Sequence, residues 1–405
     1  MNILFLTISR LTDVSEHNIY NDLMRKFTDE GHEVYIVSPR ERRYGEKSSL
    51  TKNNGVNILG VRTLNLIKTN VIEKGLGQVL LEYQFKKAIK KFLKGISFDL
   101  VIYSTPPITF TGVVKYLKKK QPKSVSYLML KDIFPQNAVD LGMFGEKSIF
   151  YKYFRKKEEQ LYKSSDFIGC MSPANVEYLL QHNGYLKRER IEICPNAVEL
   201  NTNNKPFTEE ERAAIRKEYD LPIGAPVFLY GGSLGKPQGV DYIVDCLKAV
   251  SAKKDCFFLI VGAGVEQYKI KDWLDQNNPS NIRLLDYMEK EDYDRLVKAC
   301  DIGLIFLDYR FTIPNFPSRL LSYLEQKMPV ISATDMASDV GVLAEANQFG
   351  MRVPSNDIEA FVKAVENYIE HPEIIKQQGE NGYQFLLDNY QVGHCYSTIM
   401  RHFEE

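Results

Sequence analysis

The sequence predicts an α/β protein with two doubly wound domains, each built on a parallel sheet. Short β-rich segments alternate with helical segments, as in parallel sheets that helices cover on both faces. The alternation starts again in the second half, and 405 residues exceed what one hydrophobic core usually supports. Because 44% of the residues are hydrophobic and 26% are charged, disordered and fibrous classes are excluded.

Each half contains its own series of predicted strands. Those of the first half are NILFLTI (2–8), HEVYIVSP (32–39), FDLVIYSTP (98–106), SVSYLML (124–130) and DFIGCMS (166–172), with helices over 18–30 and 113–120. Those of the second half are APVFLYGGSL (225–234), CFFLIVGAG (256–264), IRLLDY (282–287), DIGLIFL (301–307), VISA (330–333) and MRVPS (351–355), with helices over 240–252, 269–276, 293–299 and 319–328.

A polar, turn-rich segment, NAVELNTNNKP (196–206), predicts the boundary between a domain of residues 1–200 and a domain of residues 201–385. The segment 386–405 is helical in pattern, and we expect it to pack back on the first domain. The net charge of zero hides an asymmetry, because residues 1–200 hold 31 basic and 21 acidic side chains and the remainder holds 21 and 31. This asymmetry supports two separate units.

Much of the basic excess lies in three clusters: Lys86, Lys87, Lys90, Lys91 and Lys94; Lys115, Lys118, Lys119, Lys120 and Lys123; Lys152, Arg155, Lys156 and Lys157. They are either solvated helix faces or a surface that rests on anionic lipid. Apolar residues interleaved with cations over 66–95 favour the lipid surface. A nucleic-acid groove ranks lower, because no nucleic-acid-binding motif accompanies the charge. Without an export signal or a long apolar span, the predicted location is the cytoplasm.

Active sites of parallel α/β folds lie beyond the carboxyl ends of the strands, so the loops there are the first places to examine. Glycines in YGGSLGKPQG (230–239) and VGAG (261–264) allow a ligand to approach the backbone, and Lys236 adds a charge. Main chain in LDYMEKEDY (285–293) could bind a planar base. Such turns also occur without ligands. The candidates are Gly232, Ser233, Gly235, Gly262, Gly264, Tyr287 and Met288.

The stretch IPNFPSRLLSYLEQKMPVISATD (313–335) predicts a loop, a helix and a strand. Arg319 lies in the first helical turn, where the helix dipole favours an acid over a cation. An anion facing that turn would explain the arginine, with the Ser318 hydroxyl and free N–H groups as further donors. This stretch therefore predicts an anion site.

Two candidates lie in the first half. Asp132 directly follows a predicted strand, where its carboxylate would either orient a sugar hydroxyl or cap the next helix. His17 precedes a predicted helix, which favours a neutral hydrogen-bonding imidazole, although a lone histidine is more often structural.

Several familiar motifs are absent from the sequence. The first strand-to-helix loop has no glycine, so the dinucleotide fingerprint is missing, and no GK[ST] phosphate loop occurs. Asp292 and Asp294 lie at a predicted helix start, where acids are expected for dipole reasons. The sequence therefore predicts no cofactor and no metal site.

Taken together, the segments GHEVYIVSP, SPANVEYL, IEICPNAVE, FLIVGAG, ACDIGLIFL and PSRLLSYLEQKMPVI resemble those of family 4 glycosyltransferases with the GT-B fold. DIFPQNAVDLGM, YGGSLGKPQG and NFPSRLLSY resemble bacterial enzymes that build O-antigen and capsule repeats. The resemblance implies two Rossmann-like domains facing a cleft, the first binding the acceptor and the second a nucleotide sugar.

The resemblance also implies the reaction: a metal-independent, retaining transfer of a sugar from a UDP-sugar, a UDP-N-acetylhexosamine being one candidate, to a lipid-linked saccharide. Such an enzyme would lie on the inner face of the cytoplasmic membrane. Lys236 and Arg319 would face the donor diphosphate, and Ser318, Leu320 and Ser322 would contact the donor. The positions of two family glutamates fall on Pro314 and Ser322. The second glutamate usually holds the ribose, a role that either Ser322 or Glu325 one turn later would take.

Two alternatives stay open at this point. A nucleotide-sugar 2-epimerase shares the fold and the donor site but needs no lipid-facing surface. A non-catalytic scaffold of a polysaccharide complex would be consistent with the missing glutamates.

Overall fold

The computed structural model describes residues 1–66, 71–200 and 207–404, with the backbone alone at positions 71, 72, 74 and 75. Parts of two predicted segments, the boundary at 201–206 and the amphipathic stretch at 67–70, lie outside the described residues. The chain forms two compact units: unit 1 is Met1–Glu199 with Gln391–Glu405, and unit 2 is Leu200–Tyr390.

Unit 1 is built on a sheet in the order β3-β4-β2-β1-β5-β6-β7-β8, parallel except for the antiparallel pair β3 and β4. Its strands are β1 (Asn2–Leu6), β2 (Glu33–Glu41), β3 (Ser49–Asn53), β4 (Val56–Thr63), β5 (Leu100–Ser104), β6 (Val125–Leu130), β7 (Phe167–Cys170) and β8 (Ile191–Ile193). Its helices within Met1–Glu199 are α1 (Ile19–Asp29), α2 (Val71–Phe92), α3 (Thr111–Lys120), α4 (Gln136–Asp140), α5 (Ile149–Ser164) and α6 (Pro173–His182).

Unit 2 is built on a parallel sheet in the order β11-β10-β9-β12-β13-β14. Its strands are β9 (Val227–Gly231), β10 (Phe257–Val261), β11 (Ile282–Leu285), β12 (Ile302–Phe306), β13 (Val330–Thr334) and β14 (Gly350–Pro354). Its helices are α7 (Glu209–Glu218), α8 (Val240–Val250), α9 (Gln267–Asn277), α10 (Lys290–Val297), α11 (Arg319–Glu325), α12 (Val340–Ala346), α13 (Ile358–Glu370) and α14 (Glu373–Asn389). Helix α15 (Val392–Met400) returns to unit 1.

The predicted fold class is confirmed, because both units are α/β and built on largely parallel sheets. The strands β9, β10, β12 and β13 are buried at every position, which explains why their sequences are continuous apolar runs. The β3–β4 hairpin was not predicted, because β3 is an edge strand with no buried residue. No helix among the described residues is long and apolar enough to cross a membrane.

Helix α11 is shorter than the predicted 319–328. It ends at Glu325 because Lys327 adopts a left-handed conformation with φ of 55°. The N–H groups of Lys327 and Met328 then donate to the carbonyls of Leu324 and Tyr323 at 3.0 and 2.9 Å. This arrangement is a Schellman-type helix end, which left-handed residues other than glycine form less often.

The segment 386–405 is not one helix, because it is interrupted between α14 and α15. Within unit 1, Val392 N–H donates to Val198 O at 3.0 Å, and Cys395 and Ile399 are buried in the core with β1. The His402 ring stacks on Phe167 with ring centroids 3.5 Å apart. Residues at the end of the chain therefore complete the core of unit 1.

Ile399→Ala is expected to destabilise unit 1 by roughly 2–5 kcal/mol, since it removes a side chain with no exposed surface and leaves a cavity. Urea unfolding monitors the change. The matched control is Ile223→Ala, whose side chain is 71% exposed and whose loss is expected to be within about 0.5 kcal/mol of neutral. Equal stability of the two variants would contradict a core role for α15.

Candidate functional site

Two glycine loops at the carboxyl edge of the unit 2 sheet pack on each other. They follow β9 and β10, and Leu234 N–H donates to Ala263 O at 3.0 Å. A Cβ atom at Gly262 would lie 1.8 Å from Gly232 O, and one at Gly264 would lie 2.0 Å from Leu234 O. Glycine is required at both positions by contact between the loops, which is a different reason from the ligand approach suggested by the sequence.

The loop after β9 is the more open of the two. Gly232, Ser233 and Lys236 are exposed, and a Cβ atom at Gly235 would meet nothing within 3.7 Å. The hydroxyl of Tyr230 donates to Ser233 O at 2.6 Å and so fixes the turn. Within the described parts of the chain, no carboxylate lies within ion-pair distance of the Lys236 ammonium group. The cation is therefore available to an external anion.

The Arg319 side chain extends from α11 to the end of β9. Its Cζ atom lies 4.4 Å from the centroid of the Tyr230 ring, a cation–π contact. Nη2 would lie 2.9 Å from a Cβ atom at Gly232, so the guanidinium contacts the glycine turn directly. Nη1 is buried and has no hydrogen-bond partner among the residues that the structure describes. A buried guanidinium N–H without an acceptor is unfavourable, and an external anion would satisfy it.

The start of α11 is partly enclosed. The helix has seven residues, and Arg319 is half-buried. The N–H groups of Leu320 and Leu321 donate to Pro317 O and Ser318 O at 3.2 and 3.1 Å, and the Leu320 side chain has no exposed surface. Leu320 as a donor-binding residue is therefore wrong, because both its side chain and its N–H are engaged within the fold.

The other predicted donor contacts lie at the same edge of the sheet. Tyr287 and Met288 follow β11, and the Tyr287 ring is 64% exposed. Ser318 is exposed and makes no side-chain capping bond to α11, while Ser322 is half-buried on that helix. The assignment of these four residues as donor contacts stays a prediction.

The loop before α11 is held in place by a buried acid that the sequence did not indicate. Asn315 N–H donates to Ser338 Oγ at 2.9 Å, and that hydroxyl donates to Asp335 Oδ2 at 2.9 Å. Burial raises the pKa of Asp335 to about 6, against the hydrogen bonds from Ser338 and Ala337 that lower it. This network fixes the backbone that leads into Arg319.

In unit 1, Asp132 follows β6 as predicted. Its Oδ1 atom accepts from Asn137 Nδ2 at 2.9 Å, and burial raises the pKa of its carboxyl to about 6. Its N–H donates to Thr105 Oγ1 at 3.1 Å, which ties the loops after β5 and β6 together. The N-cap position of α4 is occupied by Pro135, and no side chain caps this helix, so the capping alternative for Asp132 is wrong.

His17 lies beside an ion-paired cluster at the start of α1. Its Nδ1 atom is 3.2 Å from Arg25 Nη2, and the same Arg25 atom contacts Asp22 Oδ1 at 2.6 Å and Glu199 Oε2 at 2.7 Å. The His17, Asp22 and Glu199 ligand atoms lie within 4.8 Å of one another. Because the Arg25 guanidinium already pairs with both carboxylates and occupies the space between them and His17, the cluster is a poor metal site.

The structure does not give Asp292 or Asp294 a metal-binding arrangement either. Both lie on α10, and Asp294 forms an ion pair with Lys290 one turn away. Among the described residues, only the cluster at His17 has three potential metal ligands close together.

Three tyrosines that the sequence did not indicate as site residues lie around Arg319. Tyr230 is the residue before the last of β9, Tyr293 lies on α10 and Tyr323 on α11, and Tyr230 and Tyr323 are fully buried. One sequence feature could have indicated Tyr323: it follows Arg319 by four residues and therefore lies on the same helix face.

The family models and relatives that match this chain include glycosyltransferases. A family model described as Glycosyltransferase Family 4 matches residues 19–202, and one described as Glycosyl transferases group 1 matches residues 211–385. The probable glycosyltransferase WbjE of Pseudomonas aeruginosa is 22% identical over 306 residues, which cover 75% of this chain and 74% of the relative.

Solved structures with low sequence identity share the fold. Anabaena Alr3699/HepE in complex with UDP has a TM-score of 0.69 at 13% identity, covering 100% of this chain and 99% of the other. The Escherichia coli trehalose-6-phosphate structure bound with UDP-2-fluoro glucose has a TM-score of 0.75 at 9% identity, covering 99% and 98%.

Asp132→Asn tests the buried carboxyl. Because the folded pKa of about 6 exceeds the ordinary 3.8, the contribution of Asp132 to stability is full below pH 3.8 and is lost as the pH rises through 6. The variant stays neutral, so its stability relative to wild type should rise by on the order of 2 kcal/mol between pH 4 and 7.5.

Urea unfolding across that pH range measures the difference, with Asp272→Asn, which is exposed on α9, as the control. A constant difference between Asp132→Asn and wild type at all pH values would contradict the raised pKa.

Proposed function

The chain belongs to the family 4 glycosyltransferases of the GT-B fold, and we propose that it transfers a hexose-type sugar from a UDP-sugar to a lipid-linked saccharide. The observation that carries this proposal is the buried, unpartnered Nη1 atom of Arg319 beside the exposed turn at Gly232. The donor diphosphate would provide the missing acceptor.

Charge and position support the diphosphate as the ligand of this site. Arg319 and Lys236 are cations without a carboxylate at ion-pair distance among the described residues, and both belong to the elements around the glycine turn. Arginine binds phosphate oxygens through paired N–H groups. Anabaena HepE in complex with UDP and the E. coli structure with UDP-2-fluoro glucose have the same fold, which favours a UDP-sugar as donor.

The proposed reaction proceeds with retention and without a metal. The bond between the anomeric carbon and the β-phosphate oxygen breaks, and a bond from that carbon to the acceptor oxygen forms on the same face. The acceptor proton passes to the departing phosphate oxygen. Arg319 and Lys236 stabilise the charge that develops on the diphosphate, a contribution that is usually among the largest in catalysis.

The acceptor side of the proposal rests on an exposed apolar surface of unit 1. On α2 the side chains of Val79 and Tyr83 are 55% and 63% exposed, and on α5 those of Ile149 and Phe150 are 78% and 63% exposed. The two helices are neighbours, because Lys157 Nζ lies 3.9 Å from Glu82 Oε2. We call these four residues the apolar patch.

Lysines continue along α2 from the apolar patch. Lys87, Lys90, Lys91 and Lys94 are exposed, and the ammonium groups of Lys90 and Lys91 lie 4.8 and 4.9 Å from the centroids of the Tyr116 and Phe92 rings. Exposed apolar side chains beside cations suit the surface of an anionic membrane, where a lipid-linked acceptor would reside. The enzyme would then be a peripheral membrane protein.

Arg319→Met is expected to lower kcat/KM for the donor by roughly two to three orders of magnitude, since it keeps most of the packing on Tyr230 and removes the charge. Arg319→Lys should lose less, because it keeps the charge without the paired N–H groups. Initial rates of UDP release with acceptor present measure both. A folded Arg319→Met variant with wild-type kcat/KM would remove the diphosphate from this site.

The same assay distinguishes the proposed transferase from the two alternatives, a nucleotide-sugar 2-epimerase and a non-catalytic scaffold. Release of a free N-acetylhexosamine-type product without an acceptor would favour the epimerase. Binding of UDP-sugars without turnover for any saccharide acceptor would favour the scaffold.

The membrane proposal is tested by liposome flotation. The triple variant Lys87→Gln, Lys91→Gln, Lys94→Gln should bind anionic liposomes more weakly, each cation near the surface being worth about 1 kcal/mol. Ile149→Ser with Phe150→Ser should weaken binding as well, and Ile223→Ser in unit 2 serves as the control. Binding of all variants equal to wild type would contradict a membrane-facing patch.

A further inference from the structure

The unit 2 sheet opens at its centre, where the strand order reverses. β9 and β12 pair only at Ile302 with Phe228 and at Gly303 with Leu229, although β9 continues to Gly231 and β12 to Phe306. Their outer neighbours stay paired over the same length, β10 with β9 and β13 with β12. Beyond Leu229 the two central strands therefore lose their mutual ladder bonds and need other partners.

The hydroxyl of Tyr323 supplies those partners. It accepts from Gly231 N–H at 3.2 Å, and it lies 3.1 Å from Leu229 O and 3.3 Å from Leu304 O, to one of which it donates. The side chain has no exposed surface. A single buried hydroxyl from α11 thus bridges both diverging strands.

Two glycines make room for tyrosine rings in the opening. A Cβ atom at Gly303 would lie 2.3 Å from the Tyr323 ring, and one at Gly231 would lie 1.8 Å from the Tyr293 hydroxyl. Neither glycine has a positive φ, so space rather than backbone conformation requires glycine at these positions. The strands and the two aromatic rings form one closely packed arrangement.

The same arrangement holds the proposed donor cation. Tyr323 follows Arg319 by one helical turn, so its bonds to β9 and β12 fix the rotation of α11 and the direction of the guanidinium. Its acceptor contact with Gly231 N–H also fixes the strand immediately before the turn at Gly232. Both sides of the contact between Arg319 and Gly232 depend on one hydroxyl.

We propose that Tyr323 is a positioning residue for the donor diphosphate: by bridging β9 and β12 it holds Arg319 and the turn at Gly232 in register with each other. The inference rests on the proposed function and assigns a role within that site. Tyr323 does not touch the substrate and acts through Arg319 and the glycine turn.

Tyr323→Phe removes the hydroxyl and keeps the ring against Gly303. We expect a roughly 10- to 100-fold fall in kcat/KM for the donor, since small displacements of positioned groups have effects of this size. The KM for the acceptor should change by less than about 2-fold, because the substitution alters only the donor site. Steady-state kinetics with each substrate varied in turn measure both.

The matched control is Tyr368→Phe. Tyr368 is fully buried in the same unit, and its hydroxyl donates to Gln378 Oε1 at 2.6 Å. It should lose a comparable few degrees of thermal stability, in line with one buried hydrogen bond, and keep wild-type kinetics. If Tyr368→Phe lowers kcat/KM for the donor as much as Tyr323→Phe does, the effect is general destabilisation and the inference is overturned.

A double-variant cycle tests whether Tyr323 acts through Arg319. Tyr323→Phe combined with Arg319→Met should lose less than the product of the single losses by roughly 3-fold or more. Strictly multiplicative losses, or wild-type donor kinetics in Tyr323→Phe, would overturn the inference and leave the proposed function standing. If wild type neither binds nor turns over UDP-sugars, the proposed function and the inference fall together.

Discussion

The contact between the guanidinium of Arg319 and the turn at Gly232 is the interaction on which the proposed chemistry of this chain depends. A Cβ atom at Gly232 would lie 2.9 Å from Nη2, and Nη1 is buried without an acceptor among the described residues. A buried guanidinium N–H is unfavourable without an acceptor, and a phosphate oxygen would satisfy it. In the proposed function, Arg319 is already positioned for the donor diphosphate, so little reorganisation would be needed at the transition state.

The surrounding structure explains how that position is kept. The sheet opens between β9 and β12, which is where open α/β sheets bind ligands. Tyrosines enter the opening next to glycines that lack a side chain, while Asp335 and Ser338 hold the backbone that leads into α11. Packing, hydrogen bonding and charge thus converge on one short helix, whose seven residues give little dipole of their own.

Much of the fold could be predicted from the sequence. Strands buried on both faces have continuous apolar sequences, and helices have longer segments with helical periodicity. Residues near the site could be located from glycines after strands and from a cation in a first helical turn. What could not be predicted depends on contacts distant in sequence. The packing of the Tyr323 ring against Gly303 and the ion pair of Arg25 with Asp22 beside His17 are visible only in the folded structure.

The predictions that the structure corrects also failed for local physical reasons. Helix α11 ends early because Lys327 adopts a left-handed conformation, which a lysine in the sequence does not predict. Leu320 is buried because it lies on the face of α11 that packs into the core. The sequence indicates Gly262 and Gly264 for ligand approach, and the structure gives contact between the two loops as the reason for glycine at both positions. A motif can therefore be located from sequence while the force that selects its residues is found only in three dimensions.

The most direct test is a crystal structure of the chain with UDP bound, at a resolution that defines the diphosphate. The account predicts a phosphate oxygen about 2.7–2.9 Å from Nη1 of Arg319, the distance of a charge-assisted hydrogen bond, with the diphosphate against the turn at Gly232. A diphosphate bound elsewhere, with Nη1 still lacking an acceptor, would contradict it.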